Sequence, residues 1–255
     1  MNFPAQFLLN GRRALVTGSS RGIGAAIAIS LAEAGADVAV NYTGRREAGI
    51  DVAEKIRSLG RRTIAVEADL GSADGPQRLL EATLEAMGGI DILVSNVAIQ
   101  HPEPWQQVSR DHFDHQVTVN WRSAFEMIQR LAPAMIQRKW GRIVTIGSVQ
   151  ESKPHPEMVV YSALKAAQTH MVRNLAKQFA PHGVTVNNIA PGVINTDRSR
   201  ARLTDQSYRD KVLTGIPAGF LGESGDCSGA ALLLCSEAGR YITGQNLYVD
   251  GGMSL

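Results

Sequence analysis

A tyrosine and a lysine, Tyr161 and Lys165, stand four positions apart in a segment with helical spacing of apolar residues. Side chains at i and i+4 are neighbours on one helix face, so a phenol and an ammonium group lie side by side there. A phenol ordinarily titrates at about 10, and an adjacent cation favours its ionised form and lowers that pKa. The pair is therefore a candidate for proton transfer near neutrality, and the alternative is an ordinary surface pair.

Four more polar residues follow or interrupt the elements expected around this pair. Ser148 follows a short apolar strand, and open parallel sheets bind ligands at that carboxyl end. Asn96 and Asp69 also end strands, and Asn120 lies inside a long helical stretch. The alternatives are a turn cap for Ser148, a turn residue for Asp69 and a solvated side chain for Asn120, which is informative only if it faces the site.

A glycine-rich stretch, V-T-G-S-S-R-G-I-G over residues 16–24, joins an apolar run to a helical segment. Glycines there leave backbone N–H groups free at a helix N-terminus, which is a seat for phosphate. The spacing is G-x-x-x-G-x-G and not G-x-G-x-x-G, so a plain connecting turn is an alternative. Residues 18–22 also match G-x-S-x-G, which would make Ser20 the nucleophile of a serine hydrolase. That elbow needs oxyanion donors from an earlier strand-to-helix loop, and only a short lead-in precedes Gly18.

The residues at the end of the second predicted strand indicate whether a bound dinucleotide would be NAD(H) or NADP(H). An NAD site places a carboxylate there for the ribose 2′-hydroxyl, whereas residues 41–46 read N-Y-T-G-R-R and contain no acid. Arg21, together with Arg45 or Arg46, can meet a 2′-phosphate. The sequence therefore predicts NADP(H), with NAD(H) second.

Strand and helix patterns alternate along the chain. Predicted strands cover residues 14–16, 37–41, 63–66, 90–94, 142–146, 184–189 and 246–249. Predicted helices cover residues 23–34, 46–59, 73–87, 110–138, 159–180 and 223–236, with an irregular polar segment from 191 to 222. This alternation predicts an α/β fold: one Rossmann-type doubly wound parallel sheet of about seven strands, flanked by helices on both faces, in a single domain of residues 1–255.

Composition narrows the classes of partner. The net charge of the 255-residue chain is +2, with no run of basic residues longer than a pair, so nucleic acid is not expected. No signal peptide or membrane span is expected, and Cys227 and Cys235 lie too far apart on one predicted helix for a disulfide, which favours the cytoplasm. His112 and His115 lack a matching third ligand, so we expect a solvated helix start and no metal. Trp105, Trp121 and Phe125 are expected in the core.

Taken together, these motifs resemble the short-chain dehydrogenase/reductase family, in particular the 3-oxoacyl-(acyl carrier protein) reductases and bacterial sugar or polyol dehydrogenases. The resemblance covers nearly the whole chain, from T-G-x-x-x-G-x-G at residues 17–24 to the C-terminal residues 242–252. Asn120, Ser148, Tyr161 and Lys165 match the family's catalytic tetrad. The cofactor-binding residues that it implies are Gly18, Ser20, Arg21, Gly22, Ile23, Gly24, Tyr42, Thr43, Asp69, Leu70, Asn96, Ala98, Tyr161, Lys165, Pro191, Gly192, Ile194 and Thr196.

The resemblance implies hydride transfer between a nicotinamide and a carbonyl or alcohol carbon. Tyr161 would exchange the hydroxyl proton, Lys165 would lower its pKa and hold the ribose, Ser148 would bind the reacting oxygen, and Asn120 would support a water relay. One departure is Ser95-Asn96-Val97-Ala98, where the family usually has Asn-Asn-Ala-Gly. It predicts one lost hydrogen bond and an added methyl group near the cofactor.

The substrate is less readable. Gln150, Glu151 and His155 follow Ser148 and suggest a polar substrate such as a sugar, a polyol or an oxo acid, with a 3-oxoacyl thioester as the alternative. A nucleotide-binding regulator without turnover is a further alternative, which the intact tetrad disfavours. The resemblance also implies a homotetramer, with the helices near 110–138 and 159–180 at its interface.

Overall fold

The computed structural model describes residues 4–255. The strands in this range are β1 (Arg13–Val16), β2 (Asp37–Tyr42), β3 (Thr63–Glu67), β4 (Ile92–Ser95), β5 (Gly141–Ile146), β6 (Val184–Pro191), β7 (Ile194–Asn195), β8 (Gly222–Glu223) and β9 (Asn246–Val249). The helices in this range are α1 (Gly22–Glu33), α2 (Arg46–Ser58), α3 (Gly75–Met87), α4 (Arg110–Val117), α5 (Ser123–Gln137), α6 (Val159–Phe179), α7 (Asp197–Leu203), α8 (Gln206–Thr214) and α9 (Ser224–Cys235).

Seven of the strands form one parallel sheet in the order β3-β2-β1-β4-β5-β6-β9. The order reverses between β1 and β4: Val16 pairs with Val40 on one side and with Val94 on the other. The doubly wound sheet predicted from the sequence is therefore confirmed. Ligands of such sheets bind at the carboxyl ends of the strands beside this reversal, so the candidate site is expected there.

Alternate residues of the strands face two separate cores. Ala14 and Val16 of β1 lie in a cluster with apolar residues of α1 and α9. Leu15, between them, lies in a second cluster with residues of α3, α5 and α6. Because both faces of the strands are buried, their sequences read as continuous apolar runs.

Two regions differ from the sequence prediction. The helix predicted over 110–138 is interrupted by a π-helical segment at Thr118–Arg122, between α4 and α5. The segment predicted as irregular before Gly222 contains the two short helices α7 and α8. Both differences fall beside the candidate site, and short insertions of π-helix frequently do.

The prediction of a core position is wrong for two of the three aromatic residues. Trp105 is 68% exposed and Phe125 is 36% exposed, while Trp121 is half-buried and stacks on Phe125 with ring centroids 5.8 Å apart. Aromatic type alone does not separate a core position from a surface that another chain covers.

The two cysteines lie on α9 and are free, as the sequence predicts, and both are buried. Burial raises the pKa of both thiols to about 12, so they stay protonated and unreactive. None of the helices in residues 4–255 is long and apolar enough to cross a membrane.

Candidate active site

Ser148 and Tyr161 meet at the carboxyl edge of the sheet. Ser148 lies two residues beyond β5, and its Oγ accepts a hydrogen bond of 3.2 Å from the backbone N–H of Gln150. It thus caps the short turn Val149–Glu151, as one alternative predicted, and it lies near enough to Tyr161 of α6 to lower the pKa of that phenol. Tyr161 is only 6% exposed.

Lys165 lies one helical turn after Tyr161 and is 1% exposed. Its Nζ donates to the carbonyl of Ile146 at 2.6 Å and to Oε1 of Gln168 at 3.4 Å, and it lies 5.6 Å from the centre of the Tyr161 ring. Burial lowers the pKa of Lys165 to about 7, with further lowering by Arg198, while Glu151 raises it. The ammonium form is therefore only marginally stable in the folded chain at neutral pH.

The pKa of Tyr161 departs from the sequence prediction. Burial raises it above the ordinary value of 10, although Arg198 and Ser148 act in the opposite direction. Lys165 directs its nearest hydrogen bond to a backbone carbonyl and not to the phenol. The lowering that the four-residue spacing predicts is therefore absent in this state of the site, because burial outweighs the neighbouring charges.

Asn120 lies in the π-helical segment and is 2% exposed. Its Oδ1 accepts from the N–H of Ile99 at 2.8 Å and its Nδ2 donates to the carbonyl of Ile99 at 2.9 Å. Asn120 therefore holds the chain that follows β4 against the long helix at the edge of the site. A mid-helix asparagine usually faces solvent, and the wider turn places this one inside.

The glycine-rich loop is built so closely that side chains would not fit. A Cβ on Gly24 would lie 2.5 Å from Nδ2 of Asn96 and 2.6 Å from the carbonyl oxygen of Gly18. Gly18 and Gly22 have φ of 58° and 56°, which favours glycine. No side chain in residues 4–255 caps the N-terminus of α1, so its backbone donors are available to an anion. The loop therefore fits the phosphates of a dinucleotide.

Two asparagines hold this loop in place. Nδ2 of Asn96 donates to the carbonyls of Thr17 and Gly18 at 2.8 and 3.1 Å, and Oδ1 of Asn41 accepts from the N–H of Gly18 at 3.0 Å. Asn96 is thus retained for support of the loop, although Ser95 and Ala98 depart from the family pattern. Asn41, which the sequence analysis did not single out, ties the loop to β2.

The predicted phosphate-binding arginines lie around a common point. Arg21 and Arg45 each have a guanidinium nitrogen near Oδ2 of Asp197, at 3.8 and 3.6 Å. Both arginines are at least half exposed, so these pairs add little to stability. Their convergence on a carboxylate does show that one anion can contact both side chains. Arg46 is instead the first residue of α2.

The other predicted cofactor residues surround the same edge. Tyr42 is buried under α2, where a Cβ on Gly49 would lie 2.5 Å from its ring, and so it shapes the site from below. Thr43 donates to the carbonyl of Ala68 at 2.9 Å, and Oδ1 of exposed Asp69 accepts from the N–H of Gly71 at 2.8 Å. Leu70, Pro191 and Ile194 are buried as well.

The beginning of α7 lies against the glycine-rich loop. Thr196 caps α7, and a Cβ on Gly22 would lie 3.4 Å from the Thr196 methyl group. A Cβ on Gly192 would lie 2.8 Å from the backbone of Asp250. Ser20, Ile23 and Ala98 remain half-buried and border the same cleft. The two predicted cofactor loops are therefore adjacent.

Gln150 and Glu151, which are predicted to bind substrate, make hydrogen bonds within the protein. Gln150 accepts from Ser162 at 3.1 Å and donates to the sulfur of Met158 at 3.3 Å. Glu151 accepts hydrogen bonds from Thr169, Asn246 and Tyr248. All three predicted substrate residues are half-buried, and Nδ1 of His155 accepts a hydrogen bond from the backbone N–H of Glu157.

Arg198 is a residue of the site that the sequence analysis missed. Its Nη2 donates to the carbonyl of Ala98 at 2.6 Å, and its charge acts on both Tyr161 and Lys165. It stands two residues after Thr196, and this position in an expected cofactor loop was the available signal. Its proximity follows from α7, which the sequence pattern did not predict.

Residues 4–255 contain neither the catalytic partner that a serine hydrolase needs nor a cluster of metal ligands. No histidine in residues 4–255 hydrogen-bonds Ser20, so Ser20 has no partner to act as its base. His112 lies in the exposed first turn of α4, 3.0 Å from Glu103, and stacks on His101. No cluster of three or more His, Cys, Asp or Glu side chains in this described range could hold a metal ion.

Gly24→Ala is expected to weaken NADPH binding by at least about tenfold, because the added methyl group must displace Asn96 or the backbone of the loop. Fluorescence titration with NADPH measures the effect. Gly225→Ala is the matched control, since a Cβ there meets nothing within 4 Å. Equal affinity of the two variants would contradict the assignment of the loop.

Comparisons with known proteins agree with this geometry. A family model described as "Enoyl-(Acyl carrier protein) reductase" matches residues 18–254. The chain is 35% identical to the 3-oxoacyl-[acyl-carrier-protein] reductase of Staphylococcus aureus over 96% of this chain and 98% of the relative. It is also 35% identical to gluconate 5-dehydrogenase of Gluconobacter oxydans, over 100% and 99% of the two chains.

Solved structures give the same result. A 3-oxoacyl (acyl-carrier-protein) reductase from Agrobacterium tumefaciens with NADP bound has a TM-score of 0.92 and 37% identity, covering 99% of this chain and 98% of that chain. A gluconate 5-dehydrogenase from Burkholderia cenocepacia in complex with NADP and tartrate has a TM-score of 0.91 and 34% identity, covering 98% and 97%. The chain belongs to the short-chain dehydrogenase/reductase family of oxidoreductases.

Proposed function

We propose that this chain is an NADP(H)-dependent oxidoreductase that transfers a hydride between nicotinamide and a carbonyl or secondary alcohol carbon. The observation that carries the proposal is the proximity of Ser148 to Tyr161, one helical turn from buried Lys165, at the same sheet edge as the glycine-rich loop. Residues 1–255 would form one catalytic and dinucleotide-binding domain.

Each residue of the candidate active site has a separate role in the proposed reaction. The bound dinucleotide would supply or accept the hydride at this edge. Tyr161 gives its proton to the substrate oxygen in reduction and takes it back in oxidation. Ser148 donates a hydrogen bond to the same oxygen, and the ammonium group of Lys165 stabilises the phenolate. Asn120 holds the loop after β4 that borders the site.

A polar and anionic substrate suits the charge at the site. Arg198 places a permanent cation near Tyr161 and Lys165, and guanidinium groups bind carboxylates well. The relatives include both gluconate 5-dehydrogenases and 3-oxoacyl-(acyl carrier protein) reductases. We infer a polyhydroxy or oxo acid as substrate, with a 3-oxoacyl thioester as the alternative that these relatives support.

A substrate panel tests the proposal through NADPH and NADH absorbance. We expect turnover with NADPH, or with NADP in the oxidative direction, and higher catalytic efficiency on hydroxy or oxo acids than on neutral aliphatic ketones. Highest efficiency on 3-oxoacyl thioesters would select the alternative substrate class. A panel on which simple aliphatic ketones exceed every sugar acid and polyol would contradict the inferred polarity of the substrate.

Cofactor preference is expected to depend on Arg21 and Arg45. The double variant Arg21→Gln/Arg45→Gln should raise KM for NADPH by about tenfold or more, because hydrogen bonds to charged groups are each worth about 1.5–3 kcal/mol. KM for NADH should change little, since NADH has no 2′-phosphate. Arg57→Gln, an exposed arginine at the other end of α2, is the control. Equal effects on the two dinucleotides would contradict the assignment.

A homotetramer in the cytoplasm completes the proposal. Phe113, Phe125 and Val159 are 48%, 36% and 48% exposed, and they lie on α4, α5 and α6. Apolar side chains exposed on these helices support their burial between subunits. Light scattering after gel filtration is expected to give four times the chain mass of 27.4 kDa.

A further inference from the structure

A row of hydrogen-bonded polar side chains leads from Lys165 into the interior. Nζ of Lys165 donates to Gln168 at 3.4 Å, and Nε2 of Gln168 donates to Oδ1 of Asn188 at 3.2 Å. Nδ2 of Asn188 donates to Oγ1 of Thr169 at 3.1 Å, and Oγ1 of Thr169 donates to Oε2 of Glu151 at 2.6 Å. The row therefore connects an ammonium group with a carboxylate.

All donors in the row point the same way. Each amide turns its carbonyl oxygen toward Lys165 and its N–H toward Glu151, so the dipoles are aligned between the two charges. Such bonds polarise one another, and the low dielectric of the interior strengthens them. Gln168 and Asn188 are 2% and 0% exposed, so water does not compete for these bonds.

The carboxylate end is held by three donors from two elements of the fold. Besides Thr169 on α6, Glu151 accepts from Asn246 and, at 3.0 Å, from the hydroxyl of Tyr248, both on β9. Both carboxylate oxygens of Glu151 therefore accept hydrogen bonds. These three contacts fix the position of the Glu151 side chain.

The charges that act on Lys165 are few. Arg198 of α7 opposes its ammonium form, Tyr161 lies beside it on α6, and Glu151 is the anion that supports it. Tyr248 of β9 is the titratable group that faces Glu151. Since burial already lowers the pKa of Lys165 to about 7, a modest loss of support would remove its proton at neutral pH.

We propose that Glu151 is a positioning residue that keeps Lys165 protonated through the aligned row Gln168–Asn188–Thr169, and so sets the upper pH limit of activity. The proposal rests on the proposed function of Tyr161 and Lys165. An amide passes protons poorly, so the row supplies a fixed field and not a proton path. Glu151 is expected to touch neither substrate nor dinucleotide.

The test follows the titration of Lys165 directly. The full chain is labelled with [ε-¹³C]lysine, and the Lys165 signal among the six lysines is assigned by its loss in Lys165→Met. In Glu151→Gln the midpoint for Lys165 should fall by about half a pH unit or more, since removal of an opposite charge disfavours the ammonium form. Glu157→Gln, which removes an exposed carboxylate from the same loop, should leave it at the wild-type value.

Further variants separate charge from packing. Glu151→Asp should restore most of the midpoint. Thr169→Val, which removes the Thr169 link and keeps the shape, should lower the midpoint in part, because Asn188 also reaches Glu151 through Asn246, whereas Thr169→Ser should not lower it. The alkaline limb of kcat/KM should move with the Lys165 midpoint in each variant. An unchanged midpoint in Glu151→Gln, or an equal change in Glu157→Gln, overturns the proposal. If the Lys165 midpoint shifts in Glu151→Gln but the wild-type chain turns over no substrate, the proposed function is refuted, and with it the predicted effect on the pH limit of activity. The electrostatic effect of Glu151 on Lys165 would still hold in that case.

Discussion

Tyr161→Phe is expected to lower kcat by about 10²–10⁴-fold, the usual contribution of a general acid or base. The change removes one hydroxyl and keeps the ring that packs in this buried position. NADPH affinity should therefore stay close to that of the wild type, because the groups proposed to hold the phosphates lie in the glycine-rich loop and at Arg21 and Arg45.

Single-turnover absorbance with the best substrate of the panel measures this effect apart from product release. Tyr241→Phe is the matched control, since Tyr241 is 99% exposed. Turnover of Tyr161→Phe within about tenfold of the wild type would contradict the acid/base role.

Lys165→Met is expected to lower kcat/KM by at least about a hundredfold, because the phenolate loses its neighbouring cation. The same variant should change the pH dependence of stability. The pKa of Lys165 is about 7 in the folded chain, whereas the ordinary value of 10.5 applies in the unfolded chain. Between these values the unfolded chain binds more protons, so the free energy of unfolding of the wild type should rise with pH from 7 to 9.

Urea unfolding of the wild type and of Lys165→Met at pH 7 and pH 9 measures that contribution. As the pH rises, the free energy of unfolding of the wild type should increase relative to that of Lys165→Met, because only the wild type carries the titrating ammonium group. Lys177→Met, an exposed position later on α6, is the control. A pH-independent difference would mean that Lys165 has no lowered pKa.

The sheet and the position of Ser148, Tyr161 and Lys165 could be predicted because they depend on local patterns. Apolar runs separated by helices determine parallel strands, and the carboxyl ends of those strands must share one edge. A four-residue spacing on a helix fixes which side chains are neighbours. These rules do not require knowledge of distant contacts.

The remaining features depend on tertiary structure. The π-helical turn that directs Asn120 inward has no sequence period of its own. The raised pKa of Tyr161 reflects burial, which a pairwise spacing does not contain. The hydrogen bonds of Glu151 also depend on tertiary structure, because β9, about 95 residues later, supplies two of its donors. Arg198 reaches the site through α7, whose polar sequence lacks an apolar face long enough to predict a helix.

The most direct test of the account is a crystal structure of this chain with bound NADPH. The account predicts the nicotinamide ring beside the hydroxyl groups of Tyr161 and Ser148, the ribose at Lys165, and the 2′-phosphate between Arg21 and Arg45. A structure in which the ring lies outside this cleft, or in which Tyr161 points away from it, would contradict the account.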